Sequence, residues 1–400
     1  MTMRVLHCPT VVGGNPPALC RAQRQFGAAS WCVTLDANPF GYPVDEDLNI
    51  GRGWLRRELA RWATIMRALR DYEVIHYNFG LALGPRRARV RGKGPLAPLA
   101  ALYNLLYAAP FELCDLRWAR RRGKVVAVTF QGDDARQGDV VRKFPVHFVH
   151  EVAADYYTAE SDRNARRRIE GFERYADLIY ALNPDLLAVL PQRARFQAYC
   201  SVDVAEWVPG PRPEAARSGF RVVHAPSHRE VKGTKYVIEA VRQLQASGVD
   251  VELVLVENLT QADARLLYAT ADIAVDQVLA GFYGALAVEL MALGVPVICY
   301  LRDEDLGRLP AAMRDDLPLI GATPTTLAAV MKSWLVDRRG ELRERGLRSR
   351  EFVRRWHNPS TIARATLSDY ADVWERRHPT ASTRAPLRPT ARWQGTGHSG

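Results

Sequence analysis

The sequence lacks several features by which common classes of protein are recognised. No stretch of about 18 residues is apolar and free of both charge and proline, so we expect no transmembrane helix. The cysteines are scattered without a C-x-x-C pair, which argues against a zinc or disulfide framework and favours a reducing compartment. No G-x-G-x-x-G follows a strand, which argues against a nicotinamide enzyme, and neither a P-loop nor a G-x-S-x-G elbow occurs.

Lysine is also scarce, although the chain is strongly basic. Only six of the 55 basic residues are lysine, and the formal net charge is +11 with a pI near 9.5. Such a charge favours anionic partners, namely nucleotides, nucleic acid or an anionic membrane surface. The 400 residues, 48% of them hydrophobic, are enough for two or three domains with sizeable cores.

Strands and helices alternate along the chain, and the pattern occurs twice. The first series runs from a strand at 4–9 to about residue 199, and the second begins near 221 after the proline-rich junction Val208–Pro213. This alternation predicts two doubly wound α/β domains with parallel sheets and a cleft between them. The predicted segments are an N-terminal domain at 1–207, a C-terminal domain at 208–358, a helix at 359–378 and a disordered tail at 379–400.

One acid stands alone in the most apolar part of the second series. Between Asp276 and Arg302, Glu289 is the only residue expected to be charged at neutral pH, and a buried carboxylate is costly unless it has a partner. Its helix follows the flexible loop Gly281–Gly284, and the N–H groups at such a helix start attract phosphate. A carboxylate one or two turns further along can bind the vicinal hydroxyls of a ribose. The alternative is a core helix with one solvent-facing glutamate.

A second cluster joins a buried strand to another helix start. The loop after His224 carries Arg229, Lys232, Gly233 and Thr234, so cations lie beside a helix N-terminus. Cations neutralise a diphosphate, while backbone N–H groups fix its geometry. The alternative is an ordinary solvated loop.

A third segment combines positive charge with apolarity. Basic residues at 86–93 precede an uncharged stretch at 95–111, and 117–124 is basic again. Basic residues beside an apolar helix suggest a weak contact with an anionic membrane. The alternative is a crossover helix buried against the sheet with solvated arginines at its ends, and this alternative is favoured.

Together these clusters resemble the motifs of retaining GT-B glycosyltransferases, in the large family described as glycosyltransferase family 4-like or glycosyl transferases group 1. Members carry a Lys-Gly element after the first strand of the C-terminal domain, an E-x7-E motif and then a G-x-P-V-I strand. Here Lys232-Gly233, Glu289 and Gly294–Ile298 match in register. The resemblance extends over nearly the whole chain, including Gly13-Gly14 in the first loop.

Three positions depart from the family pattern: Gly281 replaces the first glutamate, Ser227 an arginine and Gln131 a histidine. Because Gly281 carries no acid, another group has to hold the donor sugar. Asp276 and Gln277 are the candidates, since they follow a strand at its carboxyl end. The alternative is that Asp276 only caps the loop before the helix.

The resemblance implies a metal-independent, retaining transfer of a sugar from a nucleotide-diphosphate sugar to a glycan, lipid-linked or small-molecule acceptor. The leaving phosphate would assist deprotonation of the acceptor, and neither a metal nor a cofactor is expected. Catalysis is assigned to Lys232, Arg229 and Glu289. Donor binding is assigned to Gly13, Gly14, Lys232, Gly233, Thr234, Asp276, Gln277, Gly281, Phe282, Tyr283, Gly284 and Glu289. Acceptor binding is assigned to His76, Gln131, Asp133, Asp134 and Arg136, although the last three could simply turn the chain.

The same resemblance implies a GT-B fold of two Rossmann-like domains, with the helix at 359–378 packed back on the N-terminal domain. We expect a cytoplasmic protein of cell-envelope or exopolysaccharide synthesis, either free or peripheral on the inner face of the membrane. Two other functions remain open: a GT-B nucleotide-sugar epimerase, which would turn over without an acceptor, and a non-catalytic scaffold. No aromatic-basic platform or helix-turn-helix is evident, so no nucleic-acid partner is expected.

Overall fold

A computed structural model describes residues 2–49, 53–88, 97–210 and 219–379 of the chain. Half of the junction at 208–213 and most of the basic segment at 86–93 lie outside these ranges. So does the tail predicted at 379–400, apart from its first residue. Within the described ranges, no helix combines the length and apolarity needed to cross a bilayer.

The strands of the described residues form two parallel sheets, as predicted. The first sheet has the order β3-β2-β1-β4-β5-β6-β7 and the second the order β12-β11-β10-β8-β9, and every pairing is parallel. The first sheet comprises β1 (Arg4–Cys8), β2 (Ala29–Thr34), β3 (Glu46–Asp47), β4 (Val74–Asn78), β5 (Val125–Phe130), β6 (Leu178–Ala181) and β7 (Arg195–Phe196). The second comprises β8 (Phe220–His224), β9 (Val251–Leu255), β10 (Ile273–Val275), β11 (Val297–Cys299) and β12 (Ile320–Gly321).

Helices connect these strands and cover the sheets. Those of the first half are α1 (Asn15–Arg24), α2 (Trp54–Asp71), α3 (Ala97–Tyr103), α4 (Ala109–Phe111), α5 (Cys114–Arg121), α6 (Gly138–Val141) and α7 (Ala159–Tyr175). Those of the second half are α8 (Arg229–Lys232), α9 (Thr234–Ala246), α10 (Gln261–Tyr268), α11 (Ala285–Ala292), α12 (Asp303–Leu306), α13 (Ala311–Asp315), α14 (Leu327–Lys332), α15 (Leu342–Trp356) and α16 (Pro359–Arg377). Short 3-10 turns occupy Val12–Gly14, Pro184–Ala188 and Arg339–Glu341, and π-helical turns occupy Asn104–Ala108 and Ser333–Asp337.

The strands at the centre of each sheet form because most of their residues are apolar on both faces. All six residues of β5 are buried, which is the pattern of a parallel strand covered by helices on either side. The helix α7 lies among these elements although no sequence prediction placed it. It begins with a capping box between Thr158 and Ser161 and buries Ile169 and Phe172.

Segments of each half also pack on the other. The helix α16 returns to the first sheet, where its Tyr370 and Val373 share a buried cluster with strands β1, β4 and β5. In the opposite direction, Phe148 and Tyr157 join the cluster of the second sheet that surrounds α9. Glu151 also accepts a hydrogen bond from the hydroxyl of Tyr236 on α9 at 2.7 Å. These contacts bring the loops at the carboxyl ends of the two sheets to a common cleft.

Candidate functional site

The loop after β1 faces helix α11 of the second sheet across this cleft. Gly13 and Gly14 both have positive φ, and a Cβ on Gly14 would lie 2.7 Å from the ring of Tyr42. The Tyr42 phenol is close enough to Glu289 that burial and this carboxylate together raise the pKa of Tyr42. The glycine loop, Tyr42 and Glu289 therefore form one continuous wall of the site.

Glu289 lies on α11 with its carboxylate almost completely enclosed. It is 8% exposed and accepts a hydrogen bond from Nε2 of Gln261 at 2.6 Å. Burial, with a smaller contribution from the negative charge of Asp276, raises the pKa of Glu289 to about 7. The carboxyl group is thus close to half-ionised at neutral pH, which is unusual for a glutamate and typical of a functional position.

Lys232 reaches the start of the same helix. Its ammonium donates to Oδ1 of Asp276 at 2.9 Å and to Oε1 of Gln277 at 2.5 Å, while the other oxygen of Asp276 accepts from the N–H of Gly284 at 2.6 Å. Glycine at position 284 leaves room for this ammonium, because a Cβ there would lie 3.1 Å from the lysine nitrogen. One lysine, one buried carboxylate and one helix N-terminus are thereby locked together.

The predicted sugar contacts of Asp276 and Gln277 stay predictions, and both side chains already have partners within the chain. Both oxygens of Asp276 have partners, and the Gln277 amide is used on both ends, by Lys232 and by the carbonyl of Phe282. The alternative stated for Asp276, a cap on the loop before the helix, agrees with the geometry. Its second task is to hold the ammonium of Lys232 at the cleft.

Gly281 stands where the family pattern has its first glutamate, and an arginine fills the space beside it. Gly281 has φ +75°, and a Cβ there would lie 2.9 Å from the guanidinium carbon of Arg302. Arg302 is buried, forms an ion pair with Asp305, and lies 3.3 Å from the ring centre of Phe144 in the first half of the chain. A guanidinium therefore lies beside the position at which the family pattern has a carboxylate.

The other residues predicted to bind the donor divide between the cleft and the core. Arg229 forms a two-point ion pair with Glu257, with contacts of 2.7 and 2.5 Å, and half of its side chain is exposed. Thr234 at the start of α9 is buried, and its hydroxyl bonds to Nε2 of His224 at 2.9 Å. The side chains of Phe282 and Tyr283 are enclosed in the core, so any donor contact of theirs is limited to the backbone.

The predicted acceptor residues after β5 have different surroundings. Asp134 is buried and accepts from the N–H groups of Gln131 and Gly132, so it stabilises the turn and cannot reach an acceptor. Burial raises the pKa of Asp134 to about 6. Arg136 is paired with Asp185 at 2.6 Å. Asp133 is 37% exposed and accepts from two tyrosine hydroxyls, which leaves it as the accessible carboxylate of this loop.

The prediction that His76 contacts the acceptor does not fit the structure. His76 is fully buried beneath α16. Its Nδ1 bonds to the hydroxyl of Tyr370 at 2.6 Å and its Nε2 to that of Thr129 at 2.7 Å. Burial holds the pKa of His76 well below its usual range, so the ring is a neutral structural element.

Comparisons with known proteins were decisive at the level of the fold. No model of a known protein family and no curated protein sequence matches the chain. Sucrose-phosphate synthase from Thermosynechococcus elongatus, however, superposes with a TM-score of 0.59 at 15% identity, over 94% of this chain and 100% of that one. The fold is GT-B. The two Rossmann-like domains and the cleft predicted from the sequence are confirmed.

Two further GT-B structures carry nucleotides. HepE from Anabaena in complex with UDP-glucose superposes with a TM-score of 0.56 at 12% identity, over 93% of this chain and 100% of that one. The catalytic domain of starch synthase IV from Arabidopsis thaliana, bound to ADP and acarbose, gives 0.55 at 10% identity, over 94% and 99% of the two chains. At sequence identities this low, the superpositions show a shared fold.

Several residues of the GT-B cleft were missed by the sequence analysis. Tyr42, Gln261 and Tyr268 surround Glu289, and the ring of Tyr156 lies 5.2 Å from that of His228 across the cleft. Their positions depend on contacts between distant parts of the chain. One signal for Gln261 was available in the sequence. A lone acid in an apolar helix implies that a buried polar side chain pairs with it, but the sequence does not identify that side chain.

Gly14 offers a test of the wall formed with Tyr42. We expect Gly14→Ala to lower stability by about 1–2 kcal/mol through left-handed strain, and further because the new methyl group meets the Tyr42 ring. Gly41→Ala is the matched control, since Gly41 has the same φ of 66° and no atom lies within 4 Å of the place its methyl group would take. Chemical denaturation measures both. Equal losses in the two variants would mean that the Tyr42 ring yields without cost and is not part of a fixed wall.

Proposed function

We propose that the chain is a retaining glycosyltransferase that uses a nucleotide-diphosphate sugar as donor. The observation that carries this proposal is the position of Glu289: a buried acid on α11, one turn beyond the helix start that Lys232 and Asp276 hold together. A carboxylate in such a place suits two neighbouring ribose hydroxyls, and an ammonium beside a helix start suits a diphosphate. The UDP-glucose of HepE and the ADP of starch synthase IV support a nucleotide donor here.

On the donor side, Lys232 would stabilise the negative charge that develops on the departing diphosphate. Such preorganised charge is typically worth several kcal/mol of transition-state stabilisation. Because Asp276 and Gln277 already fix the ammonium, Lys232 would need little reorganisation when the donor binds. Arg229 is the weaker candidate, since its guanidinium would first have to leave Glu257.

At the sugar end, Gln131 takes the place of the family's histidine. Among the described residues, its buried Nε2 has no hydrogen-bond partner, and its Oε1 lies 3.8 Å from the position that a Cβ on Gly13 would occupy. An unpaired buried donor is costly, so it gains most from a ligand that accepts a hydrogen bond. We therefore assign Gln131, predicted from the sequence to bind the acceptor, to a hydroxyl of the transferred sugar instead.

On the acceptor side, Asp133 is the carboxylate that remains accessible. It would receive an acceptor hydroxyl group at the rim of the cleft, next to Tyr156 and Tyr157. Retention would follow a front-face course in which the leaving phosphate takes the acceptor proton, without a metal. A glycan or lipid-linked acceptor of envelope or exopolysaccharide synthesis in the cytoplasm is the setting that we propose.

A screen of UDP, GDP, ADP and TDP sugars by thermal shift tests the donor, because a ligand that binds only the native state raises its stability. We expect one nucleotide series to raise the melting temperature and the same donor to support transfer to an acceptor with retained anomeric configuration. Epimerised sugar released without an acceptor would indicate the epimerase instead. Binding without any turnover would indicate a scaffold. That function is favoured by Gly281, which stands where the family pattern has an acid and has the Arg302 guanidinium beside it. No stabilisation by any of these donors would reject the nucleotide-sugar site.

A further inference from the structure

An exposed apolar surface lies on the first half of the chain, on helices α2 and α3. The helix α2 carries Trp54, Leu55, Leu59 and Met66, each more than half exposed, and the last three follow helical spacing along one face. Surface leucines are common singly, but a row of large apolar side chains on one helix marks an interaction site.

A neighbouring stretch continues this surface. From Ala97 to Phe111 the chain contains no charged residue. The exposed side of α3 and of the following π-helical turn carries Leu99, Leu102, Leu105 and Leu106, all between 51% and 69% exposed. The favoured sequence interpretation, a crossover helix buried against the sheet, is therefore wrong for the outer side of this segment.

The two helices form a single surface because their inner sides are joined. The indole N–H of Trp62 donates to the hydroxyl of Tyr107 at 2.6 Å, and that hydroxyl donates to Glu58 at 2.9 Å. The rings of Trp62 and Phe111 meet edge to face at 5.4 Å. The polar groups between the helices are thus satisfied inside, while the leucines of both helices point away from the fold. We call the eight exposed side chains the α2–α3 face.

Charge around the α2–α3 face selects its partner. The helix α2 holds five arginines and two acids, a net charge of +3, within a chain of net charge +11. Arg56 and Arg57 follow Leu55 directly in the sequence and are themselves exposed. An apolar face with arginines beside it is the composition of a helix that lies in the interface of an anionic bilayer. A symmetric dimer would instead place the same basic helices against each other.

We propose that the α2–α3 face docks on the surface of an anionic membrane, with the leucines inserted among the lipids and the arginines at the headgroups. The attachment is peripheral and reversible, and it weakens as salt screens the arginines. The proposal does not depend on the donor site, because docking needs neither nucleotide nor acceptor.

Vesicle flotation of the full chain tests the proposal without substrate. We expect the chain to float with phosphatidylcholine vesicles that contain phosphatidylglycerol, much less with phosphatidylcholine alone, and less again at high salt. The double variant Leu105→Glu, Leu106→Glu should lose at least about tenfold in affinity for the anionic vesicles. Leu266→Glu with Leu347→Glu is the matched control, since both leucines are equally exposed but lie in the second half of the chain.

The outcomes separate the possible occupants of the face. Equal flotation of the two double variants, or no flotation of the wild-type chain, overturns the proposal. If the wild-type chain is a dimer that Leu105→Glu, Leu106→Glu converts to a monomer and neither floats, a second copy covers the face. Should that variant have a lowered melting temperature, Leu99→Glu with Leu102→Glu provides the same test one turn earlier.

Discussion

Lys232→Met is expected to lower sugar-transfer turnover by about 100- to 1,000-fold at saturating donor, the usual effect of removing one preorganised charge from a transition state. It should also weaken binding of the free nucleoside diphosphate by at least about tenfold. The physical reason is that the ammonium is fixed by Asp276 and Gln277 beside the start of α11 before any ligand binds. Turnover and calorimetric titration measure the two effects.

The same substitution has a second consequence, because Asp276 is completely buried. Without Lys232, the N–H of Gly284 is the one hydrogen-bond partner that its carboxylate keeps among the described residues. Breaking a buried ion pair from one side costs about 3–5 kcal/mol, so the single variant should be markedly less stable. The loss of turnover alone would therefore not distinguish a phosphate-binding lysine from one that only neutralises Asp276.

A double variant separates these two roles. In Lys232→Met, Asp276→Asn the amide oxygen can still accept from Gly284, and no unpaired charge remains. We expect most of the stability to return while turnover and nucleotide affinity stay low. Recovery of turnover in the double variant would restrict Lys232 to a structural role. Lys235→Met is the control, because that lysine is 64% exposed and pairs with Glu151 at the surface, where an ion pair contributes little to stability.

The sequence predicted the elements that depend on local patterns. Largely apolar runs such as Val125–Phe130 predicted buried parallel strands, and their regular alternation with helices predicted two doubly wound sheets. The strands Glu46–Asp47 and Ile320–Gly321 could not be predicted, because two residues carry no periodicity. The helix α7 was missed although Ala165, Ile169 and Phe172 have helical spacing, since more than half of its residues are arginine or acidic and hide that pattern.

The candidate site was predicted less completely than the fold. A lone charge among apolar residues correctly indicated that Glu289 lies on an apolar helix, and it is buried there. The partner relations could not be derived, because Lys232 and Asp276 are 44 positions apart and Tyr42 comes from the other half of the chain. His76 and Asp134 show the same limit: a polar residue at a strand end can face the cleft or be enclosed, and only the packing of α16 and of the turn decides.

Stability and nucleotide binding are both expected to depend on pH through Glu289. Its pKa is raised from an ordinary value near 4.5 to about 7, mainly by burial. Between these two values the native state retains a proton that the unfolded chain has released, so stability should fall as pH rises through this window, by about 3 kcal/mol in all. In Glu289→Gln this contribution to the slope disappears, while that of Asp134, whose pKa burial raises to about 6, remains. The variant should then match the wild-type chain near pH 4.5 and exceed it in stability at pH 8.

Nucleotide binding should depend on pH in the opposite direction. Only the ionised carboxylate can accept from both hydroxyls of a ribose, so the affinity of the wild-type chain for the nucleoside diphosphate should rise from pH 6 to pH 8. In Glu289→Gln the affinity should be about tenfold lower at pH 8 and nearly independent of pH. Glu252→Gln is the control, because Glu252 is exposed on β9 and pairs with Arg221. A Gln variant that loses this contribution to the stability slope but binds nucleotide like the wild-type chain would restrict Glu289 to the folding of α11 and reject its ribose role.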